Sequence, residues 1–392
     1  MGLRSNPIKV ERSGTASVAL RAEGVTGTVR VGTVDIDIVP KFLDPFASNW
    51  QQVLWRVLAV IEGGHIDDAR TSAAVVDSLS LPDLLADVFL DSFSRGAARG
   101  LPYRYQTRQG QGSVLHGVFD PSRITEWLSK PWQLPYITDE LSDMTSLAAL
   151  FRWTASVLSA QVSSTSRSRA LLGIAHQLPG ANRRPPQVTE AKNFHLDPQY
   201  HALNPARVVG ISLLEGAGIH HNAGLYELSG FLWNSDRVYE QYVFWLCGRA
   251  AAKLNLRVEK NSIAFGRVTH GVGTRLQTIP DVVFLDKFGE VQGILDSKYK
   301  TFGSRPVSSD TYQVLTAAHV LGCRNVSLAY PIGFDSEMTV WEVESKLGAQ
   351  TTFLSALPLN LMVLGLPDGH VRLVKTIADW CELGLQVSNR HI

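Results

Sequence analysis

The sequence predicts an α/β protein, α+β overall, in which strand patterns and helix patterns alternate along 392 residues. Two observations predict this class. Residues 34–38 alternate apolar side chains with aspartates, which is the period of a half-buried strand. Residues 53–61 instead repeat apolar side chains every three or four positions, which is the period of a helix. A chain of this length is long enough for two or three domains.

The first segment, residues 1–140, is predicted to be a strand-and-helix module. Strands are expected within residues 16–39, where glycines punctuate the apolar runs. One helix is expected after Ser48 and a second from about Pro82, because apolar stripes follow both positions. Residues 101–120 are short, polar and glycine-punctuated, which is typical of strands or of an extended loop.

The second segment, residues 141–230, is predicted to be mainly helical and to include a linker. Two helical runs are expected between Asp143 and Leu178, and residues 179–187 (PGANRRPPQ) make the best linker candidate. The third segment, residues 231–392, opens with a helix and continues as strand, hairpin, strand, helix and strand. This order predicts a domain with a mixed sheet.

Composition and cysteine content bound the function classes. With 37 Lys+Arg against 36 Asp+Glu, the net charge of +1 gives no bulk attraction to nucleic acid, so any such contact must come from local clusters. The three cysteines are far apart, which argues against a disulfide framework and a thiolate zinc site and favours a cytoplasmic location. The uncharged residues 347–367 include Pro358 and Asn360, so we expect a buried strand there and no membrane contact.

Residues 279–300, IPDVVFLDKFGEVQGILDSKYK, carry the most informative pattern. Asp281 opens an apolar strand, a turn reverses the chain, and a second strand leads to Asp296 and Lys298. Because side chains two positions apart on a strand share a face, Asp296 and Lys298 are expected to point the same way, with Asp281 near them. The sequence therefore predicts two carboxylates and an ammonium at one end of a hairpin.

Such a set suits a hard divalent cation. Oxygen ligands and retained waters favour Mg²⁺, with Mn²⁺ as the expected substitute. A metal held there polarises a phosphodiester, while Lys298 orients or helps to deprotonate the attacking water. An isolated Asp-x-Lys is also common on exposed strand edges, so the pattern depends on its neighbours along the chain.

Two flanking helices supply those neighbours. The helix of residues 235–253 places Glu240 among apolar residues, with Val238, Tyr242 and Trp245 assigned to the packing face. Glu240 is either a further metal ligand or an acidic residue favoured by the helix macrodipole. Downstream, Gln313 is expected to hydrogen-bond to the site. The order of a helical Glu, a strand Asp, Asp-x-Lys and a helical Gln is that of the PD-(D/E)xK nuclease core.

Longer segments resemble one nuclease family. SGFLWNSDRVYEQYVFWL, TIPDVVFLDKFGEVQGILDSKYK and DTYQVLTAAHVLGCRNVSLAYP are similar to the nuclease domain of McrC, the endonuclease subunit of McrBC-type restriction systems. VGTVDIDIVPKF and LPYITDELSDMTSLAALFRWTASVL resemble its N-terminal module and its middle helical segment. The resemblance implies a restriction-endonuclease-like domain, a double-stranded DNA substrate and a separate AAA+ GTPase partner of the McrB kind, which the N-terminal module stimulates.

The chain departs from that family pattern at several positions. Ser297 stands where the family often has Ala, and Ala317 stands where it usually has a second Tyr. Residues 117–120 lack the arginine of a Gly-Arg-Ile-Asp-like stretch, which puts any contact by that arginine in doubt. None of these changes removes a predicted metal ligand or Lys298.

The sequence contains no G-x-x-x-x-G-K-[ST] phosphate loop, so nucleotide hydrolysis is expected from the partner alone. Candidate partner contacts are the loops around residues 104–113, for which a plain solvated loop is an equal interpretation. Two rival functions stay open. One is a PD-(D/E)xK nuclease of another defence or repair complex, with a different NTPase or none. The other is a mainly non-catalytic activator of an AAA+ ring.

Overall fold

The computed structural model describes most of the chain. The described residues are 8–13, 17–31, 34–41, 43, 49–63, 80–142, 145–178, 185–216, 221–223, 226–260, 262–266, 269, 273, 276–303, 305–332, 337–344 and 351–390.

The described elements alternate strands and helices along the chain. The strands are β1 (Ile8–Ser13), β2 (Ser17–Ala22), β3 (Val25–Val31), β4 (Val34–Ile38), β5 (Arg104–Gly112), β6 (Val118–Phe119), β7 (Leu134–Ser142), β8 (His221–Ala223), β9 (Tyr226–Asn234), β10 (Arg257–Glu259), β11 (Ile263–Gly266), β12 (Leu276–Thr278), β13 (Val282–Leu285), β14 (Val291–Ser297), β15 (Asn325–Ile332), β16 (Thr339–Val343) and β17 (Thr352–Asn360). The helices are α1 (Trp50–Ile61), α2 (Leu81–Ala97), α3 (Ile124–Ser129), α4 (Ser146–Ser159), α5 (Thr165–Gln177), α6 (Val188–Asn193), α7 (Asn204–Gly216), α8 (Ser235–Lys253), α9 (Ser308–Leu321) and α10 (Gly369–Arg390).

The expected α+β class is confirmed, and so are the helices expected after Ser48, from about Pro82 and over residues 235–253. Residues 101–120 contain strands β5 and β6, so the candidate contact segment at 104–113 is largely a strand rather than a loop. Most of the linker candidate, residues 179–184, lies outside the described residues.

The chain folds as two compact units. One comprises residues 1–84 and 215–392, and the other comprises residues 85–214. The sequence-based segments 1–140, 141–230 and 231–392 follow different bounds, and their separate roles stay a prediction. The N-terminal strands and first helix belong to the same unit as the C-terminal third.

A six-stranded mixed sheet organises the first unit, with the order β10-β13-β14-β15-β17-β16. β13 and β14 are antiparallel, whereas β14, β15 and β17 run parallel to one another. Parallel neighbours need a long crossover connection, and α9 makes that connection between β14 and β15. The predicted mixed sheet is therefore confirmed.

Helices cover both faces of this sheet. Phe284 pairs with Gly293, so Ile294, the next residue, lies on the opposite face. Ile294 packs with Ala317 of α9 in one buried cluster. The Phe284 ring meets Trp380 of α10 edge to face, with centroids 5.7 Å apart. Burial on both faces explains why β13 is apolar at every position instead of alternating.

Strand β3 ties the N-terminal residues to the entrance of α8. It lies between β4 and β9 in a second sheet, and the register joins Val25 to Asn234. Asn234 also caps α8, because its side-chain oxygen accepts a hydrogen bond from the Arg237 amide at 2.9 Å. Gly27 has a φ of +136°, and a Cβ there would lie 1.9 Å from the Phe231 carbonyl oxygen, so only glycine fits this close approach.

Helix α1 is held by a buried arginine. Arg56 is 1% exposed and donates hydrogen bonds to the carbonyl oxygens of Leu364 and Leu366, at 2.6 and 2.9 Å. These bonds satisfy carbonyl groups at the end of a 3-10 turn, Leu361–Gly365, just before α10. α1 also packs against α8, which fixes one wall of the region described below.

The second unit combines a three-stranded sheet with helices. β7 lies between β5 and β6, and β5 pairs with β7 from Arg104 to Gly112. The helices meet through the rings of Phe89, Phe93 and Phe151, whose centroids lie 5.6 to 6.0 Å apart. Arg167 donates two hydrogen bonds to Asp87, at 2.7 and 2.9 Å.

Within the described part of the chain, no helix is both long enough and apolar enough to cross a membrane. Cys247, Cys323 and Cys381 are free thiols and all are buried. Burial raises the pKa of each thiol, to about 12 for Cys323 and Cys381. These cysteines are therefore packing residues in this fold.

The two phenylalanines of the β13–β14 hairpin allow a test of the core. Phe284→Ala removes a fully buried ring against Trp380, so we expect the free energy of unfolding to fall by about 3–5 kcal/mol. Phe288→Ala is the matched control, because that ring is 79% exposed and its loss should change stability by about 0.5 kcal/mol or less. Urea denaturation of the purified chains measures both values, and equal losses would contradict this packing.

Candidate active site

Two carboxylates meet at one end of the β13–β14 hairpin. Val282 pairs with Leu295, so Asp281, which precedes the first, lies beside Asp296, which follows the second. Asp296 also pairs with Leu328 of the parallel neighbour β15, which keeps it inside the sheet, and it is 2% exposed. The hairpin register therefore brings together the two predicted acidic residues.

Ser297 fixes the orientation of the Asp281 carboxylate. Its backbone amide and its hydroxyl both donate to Asp281 Oδ2, at 2.8 and 2.6 Å. The remaining oxygen, Oδ1, faces a cation described below. A serine at this position thus adds a hydrogen bond that an alanine cannot make.

Lys260 joins Glu240 to Asp281. Its ammonium contacts Glu240 Oε1 and lies 3.4 Å from Asp281 Oδ1. The lysine directly follows the short edge strand β10, and its side chain is 38% exposed. Glu240 of α8 and Asp281 of the sheet therefore face the same cation position.

Lys298 serves the other carboxylate. Its ammonium contacts Asp296 Oδ2 and donates to Gln313 Oε1 at 3.2 Å. Its backbone amide donates to the Ala329 carbonyl oxygen at 2.8 Å, which anchors the residue just beyond the end of β14. The structure thus places Asp296, Lys298 and Gln313 in direct contact, as the sequence predicted.

Asp310 is an acidic residue near the site that sequence reasoning did not select. It lies in the first turn of α9 and is 7% exposed. Its Oδ2 contacts the Lys300 ammonium, and its Oδ1 lies 4.0 Å from the Lys298 ammonium. Asp310 therefore holds both lysines of the Lys298-Tyr299-Lys300 segment on the α9 side.

Burial and like charge oppose ionisation of Asp296. Burial raises the pKa of its carboxyl, and the neighbouring charges of Asp281 and Asp310 raise it further. Lys298 lowers the same pKa through its charge and hydrogen bond, but less strongly. Tyr330 behaves alike, because burial and the charges of Asp310 and Asp296 raise the pKa of its phenol. The site is a largely buried acidic centre whose charge is offset by ammonium groups.

The donor set fits a hard divalent cation in its chemistry. Asp281, Asp296 and Glu240 offer carboxylate oxygens, which Mg²⁺ and Mn²⁺ prefer. Among the described residues, no three acidic, histidine or cysteine side chains are already grouped as a metal cage. Instead, Lys260 lies between two of the carboxylates, as a cation in the position that Glu240 and Asp281 share.

Sequence reasoning missed Lys260, Lys300 and Asp310 for different reasons. Lys260 is 21 residues from Asp281 and follows a strand of three residues, so no periodic pattern connects them. Asp310 resembled an ordinary acidic residue of a first helical turn. Lys300 had a usable signal, because it lies two residues after Lys298 in the quoted motif.

The packing face of α8 differs from the predicted one. Tyr242 is buried as expected, but Val238 and Trp245 are only partly buried. Tyr239, Val243 and Leu246 form the buried face in their place. Trp245 therefore faces a groove that begins at Glu240 and Asp281.

Comparison with known proteins gives a family and a fold. A family model for the McrBC 5-methylcytosine restriction system component matches residues 20–331. One similar solved structure is the half-complex from a tetradecameric assembly of Thermococcus gammatolerans McrB AAA+ hexamers with bound McrC. It is 15% identical with a TM-score of 0.58, over 94% of this chain and 85% of that chain.

A second similar structure, the Thermococcus gammatolerans McrBC complex from cryo-EM, is 15% identical with a TM-score of 0.40. It covers 59% of this chain and 68% of that chain. No protein with a curated description matches the sequence. At these identities the structural likeness shows the fold alone, and it is the first structure that carries this conclusion.

Asp296→Asn should stabilise the metal-free protein at high pH. The raised pKa of Asp296 means that the folded state resists ionisation, so the wild type loses stability as pH rises above the ordinary value of 3.8. A neutral amide avoids this loss. We expect a gain of about 0.5–2 kcal/mol at pH 8, which shrinks as the pH falls towards 3.8. Denaturation in EDTA across this pH range measures the gain.

Asp286→Asn is the control with the opposite sign. Backbone amides of Glu290 and Phe288 hydrogen-bond to Asp286 and lower the pKa of that carboxyl. Its charge therefore stabilises the fold above pH 3.8, and the amide should weaken it. A destabilised Asp296→Asn variant at pH 8 would show that Lys298 outweighs burial.

Proposed function

The chain belongs to the McrBC 5-methylcytosine restriction system component family, and from this premise we propose that it is the Mg²⁺-dependent DNA endonuclease subunit of such a system. One observation carries the proposal. Glu240, Asp281, Asp296, Lys298 and Gln313, which are scattered over 74 residues, come together around the end of one hairpin. An ordinary surface of charged residues has no reason to collect this set.

The carboxylates hold the metal in this proposal. Asp281 and Asp296 bind Mg²⁺, with Mn²⁺ as a substitute, and Glu240 supports it from α8. When bound, the metal polarises the phosphodiester and stabilises the charge that develops on it. Ser297 keeps the Asp281 carboxylate aligned through two hydrogen bonds to Oδ2, so the other oxygen, Oδ1, faces the shared cation position.

Lys298 and Gln313 act on the water and the phosphate. The Lys298 side chain is 14% exposed, so water screens its charge only weakly and its interaction with a nearby negative charge is strong. Gln313 accepts a hydrogen bond from the ammonium and restricts its position. Lys298 thereby orients or helps to deprotonate the attacking water.

A separate AAA+ GTPase of the McrB kind supplies nucleotide hydrolysis. The chain has no phosphate loop, and a McrC chain is bound to McrB AAA+ hexamers in the Thermococcus gammatolerans assembly. We assign the partner contact to residues 1–140, where Tyr105, Val118 and Trp132 are exposed by 67 to 75%. Residues 141–230 form the helical middle, residues 231–392 the nuclease, and the reaction takes place in the cytoplasm.

Loss of the site should abolish cleavage without loss of the partner. We expect Asp296→Ala and Lys298→Met to slow cleavage by at least about 100-fold, since each removes a group that stabilises the transition state. Lys287→Met, in the exposed turn of the same hairpin, should cleave normally. The assay mixes the chain with the AAA+ protein, GTP or ATP, Mg²⁺ and methylated or unmethylated DNA, and also follows nucleotide hydrolysis.

Cleavage and nucleotide hydrolysis, measured together, distinguish the restriction nuclease from an activator of the AAA+ ring. Cleavage that needs the partner and GTP, and disappears in Asp296→Ala, supports the restriction nuclease. Stimulated hydrolysis without cleavage by the wild type would favour an activator of the ring. Wild-type rates in Lys298→Met would contradict the assigned site.

Removal of Lys260 should strengthen metal binding. Its ammonium offsets the charges of Glu240 and Asp281, so Lys260→Met leaves both carboxylates free for a divalent cation. We expect Mn²⁺ to bind about fivefold more tightly, as for the loss of a competing exposed ion pair worth ~1 kcal/mol. Electron paramagnetic resonance titration measures this, with Lys253→Met at the end of α8 as the control. Weaker binding in Lys260→Met would show that this lysine organises the carboxylates instead.

A further inference from the structure

A groove of about 810 Å³ begins at the carboxylates and follows the outer face of α8. Glu240, Asp281 and Lys260 line one part of it, and Phe244, Trp245 and Arg249 line the continuation. Residues 241, 244, 248 and 252 share one face of α8 through their helical spacing. The groove is therefore continuous with the proposed cleavage site and is not a separate cavity.

Small side chains keep the groove open beyond Phe244, in the part distant from Glu240. Gly248 and Ala252 lie on the face of α8 that lines the groove, where larger side chains would fill it. The nearest atom to a Cβ at Gly248 would be a Val258 methyl at 3.7 Å, so a glycine is not required there by the packing of the domain. The opening is thus a property of the surface and not of the core.

Trp245 is held rigidly at the wall of this groove. Its indole stacks on Tyr242, with centroids 6.1 Å apart, and meets the His370 ring edge to face at 5.4 Å. The Tyr242 hydroxyl and His370 Nδ1 are hydrogen-bonded at 2.9 Å. Burial lowers the pKa of His370 to about 4, with a smaller effect from Arg56, so its ring is neutral at pH 7. The indole therefore presents a fixed surface.

Arg249 extends this surface with a positive charge. Its guanidinium lies 5.3 Å from the centre of the Trp245 ring, and the side chain is exposed. Among the described residues, Arg249 has no carboxylate within ion-pair distance. Its guanidinium N–H groups are donors that suit a phosphate, and an arginine beside an aromatic face is often used in this way.

We propose that this groove binds the backbone of the DNA strand next to the cleaved phosphodiester, with Arg249 on a phosphate and Trp245 and Phe244 against deoxyribose. The inference rests on the proposed nuclease function and names where its substrate lies. From Glu240 to Ala252 the helix rises by roughly 18 Å, which equals about five steps of B-DNA. Contacts of this kind are independent of base sequence.

Charge and continuity select DNA over a protein occupant. A DNA strand bound at the carboxylates and the proposed metal must continue along the neighbouring protein surface. The groove is such a surface, and it carries Lys260 at one end and Arg249 at the other. Two large, partly exposed aromatic side chains lie between them, Phe244 and Trp245, and these suit sugar faces better than solvent. A protein segment would gain from the apolar floor but has no reason to begin at Glu240 and Asp281.

The test compares Arg249→Gln and Trp245→Leu with the wild type and with the control Arg257→Gln. Arg257 is an exposed arginine of β10 that contacts Glu259, outside the groove. The probe is a fluorescein-labelled 30-base-pair duplex, titrated with the full chain in Ca²⁺ at several salt concentrations and read by anisotropy. Cleavage with the AAA+ partner and Mg²⁺ is measured in parallel, as KM and kcat.

We expect Arg249→Gln to raise the Kd for DNA about tenfold and to reduce the salt slope by about one, because one phosphate contact is lost. Trp245→Leu should raise the Kd about fivefold and leave the salt slope unchanged. Both variants should raise KM in the assembled system more than they lower kcat, and Arg257→Gln should match the wild type.

Several results would contradict DNA binding in the groove. The proposal fails if both variants bind DNA with the wild-type Kd. It also fails if the wild-type chain does not bind DNA on its own but still cleaves DNA with its partner. Loss of stimulated nucleotide hydrolysis by Arg249→Gln, with DNA binding intact, would make the groove a protein-docking face. A wild-type system that never cleaves DNA instead refutes the proposed function, which the parallel assay detects separately.

Discussion

The pairing register of β13 and β14 is the constraint on which the rest of this site depends. It places Asp281 and Asp296 side by side at the end of a buried hairpin, where two negative charges repel each other and lose hydration. A slip of one residue would turn Asp296 to the opposite face of the sheet. Side-chain packing against α9 on one face and α10 on the other opposes that slip. The core thus maintains an arrangement that the charges alone would disfavour.

The sequence predicts the elements and the ordered motif well, because both depend on local patterns. A helix period, a hairpin turn and an Asp-x-Lys spacing each involve residues that are only a few positions apart. Each can therefore be recognised without knowledge of the tertiary fold. The mixed sheet follows from the order of strands and helices, and the contact of Lys298 with Gln313 follows from that order too. The catalytic roles of these residues stay predictions, since contact does not establish chemistry.

The parts that could not be predicted depend on distant pairings. Strand β3 pairs with β9, some 200 residues away, which puts the N-terminal strands in the same compact unit as the C-terminal third. Lys260 reaches Glu240 and Asp281 only because β10 pairs with β13 at the sheet edge. The exposure of Trp245 likewise depends on what α1 and α10 leave uncovered along α8. No periodicity in a single sequence records these facts.

The two lysines at the site differ in how firmly the fold holds them. Lys298 extends a central strand, donates its backbone amide to Ala329 and is 14% exposed, so its ammonium has little freedom to leave Asp296. Lys260 follows an edge strand of three residues and is 38% exposed, and its partners within the described part of the chain are carboxylates alone. An exposed ion pair contributes little stability and exchanges its partners readily. Breaking a buried ion pair is costly, because it leaves an uncompensated buried charge. Lys298 is therefore built into the site, and Lys260 is the cation that the proposed metal ion would displace.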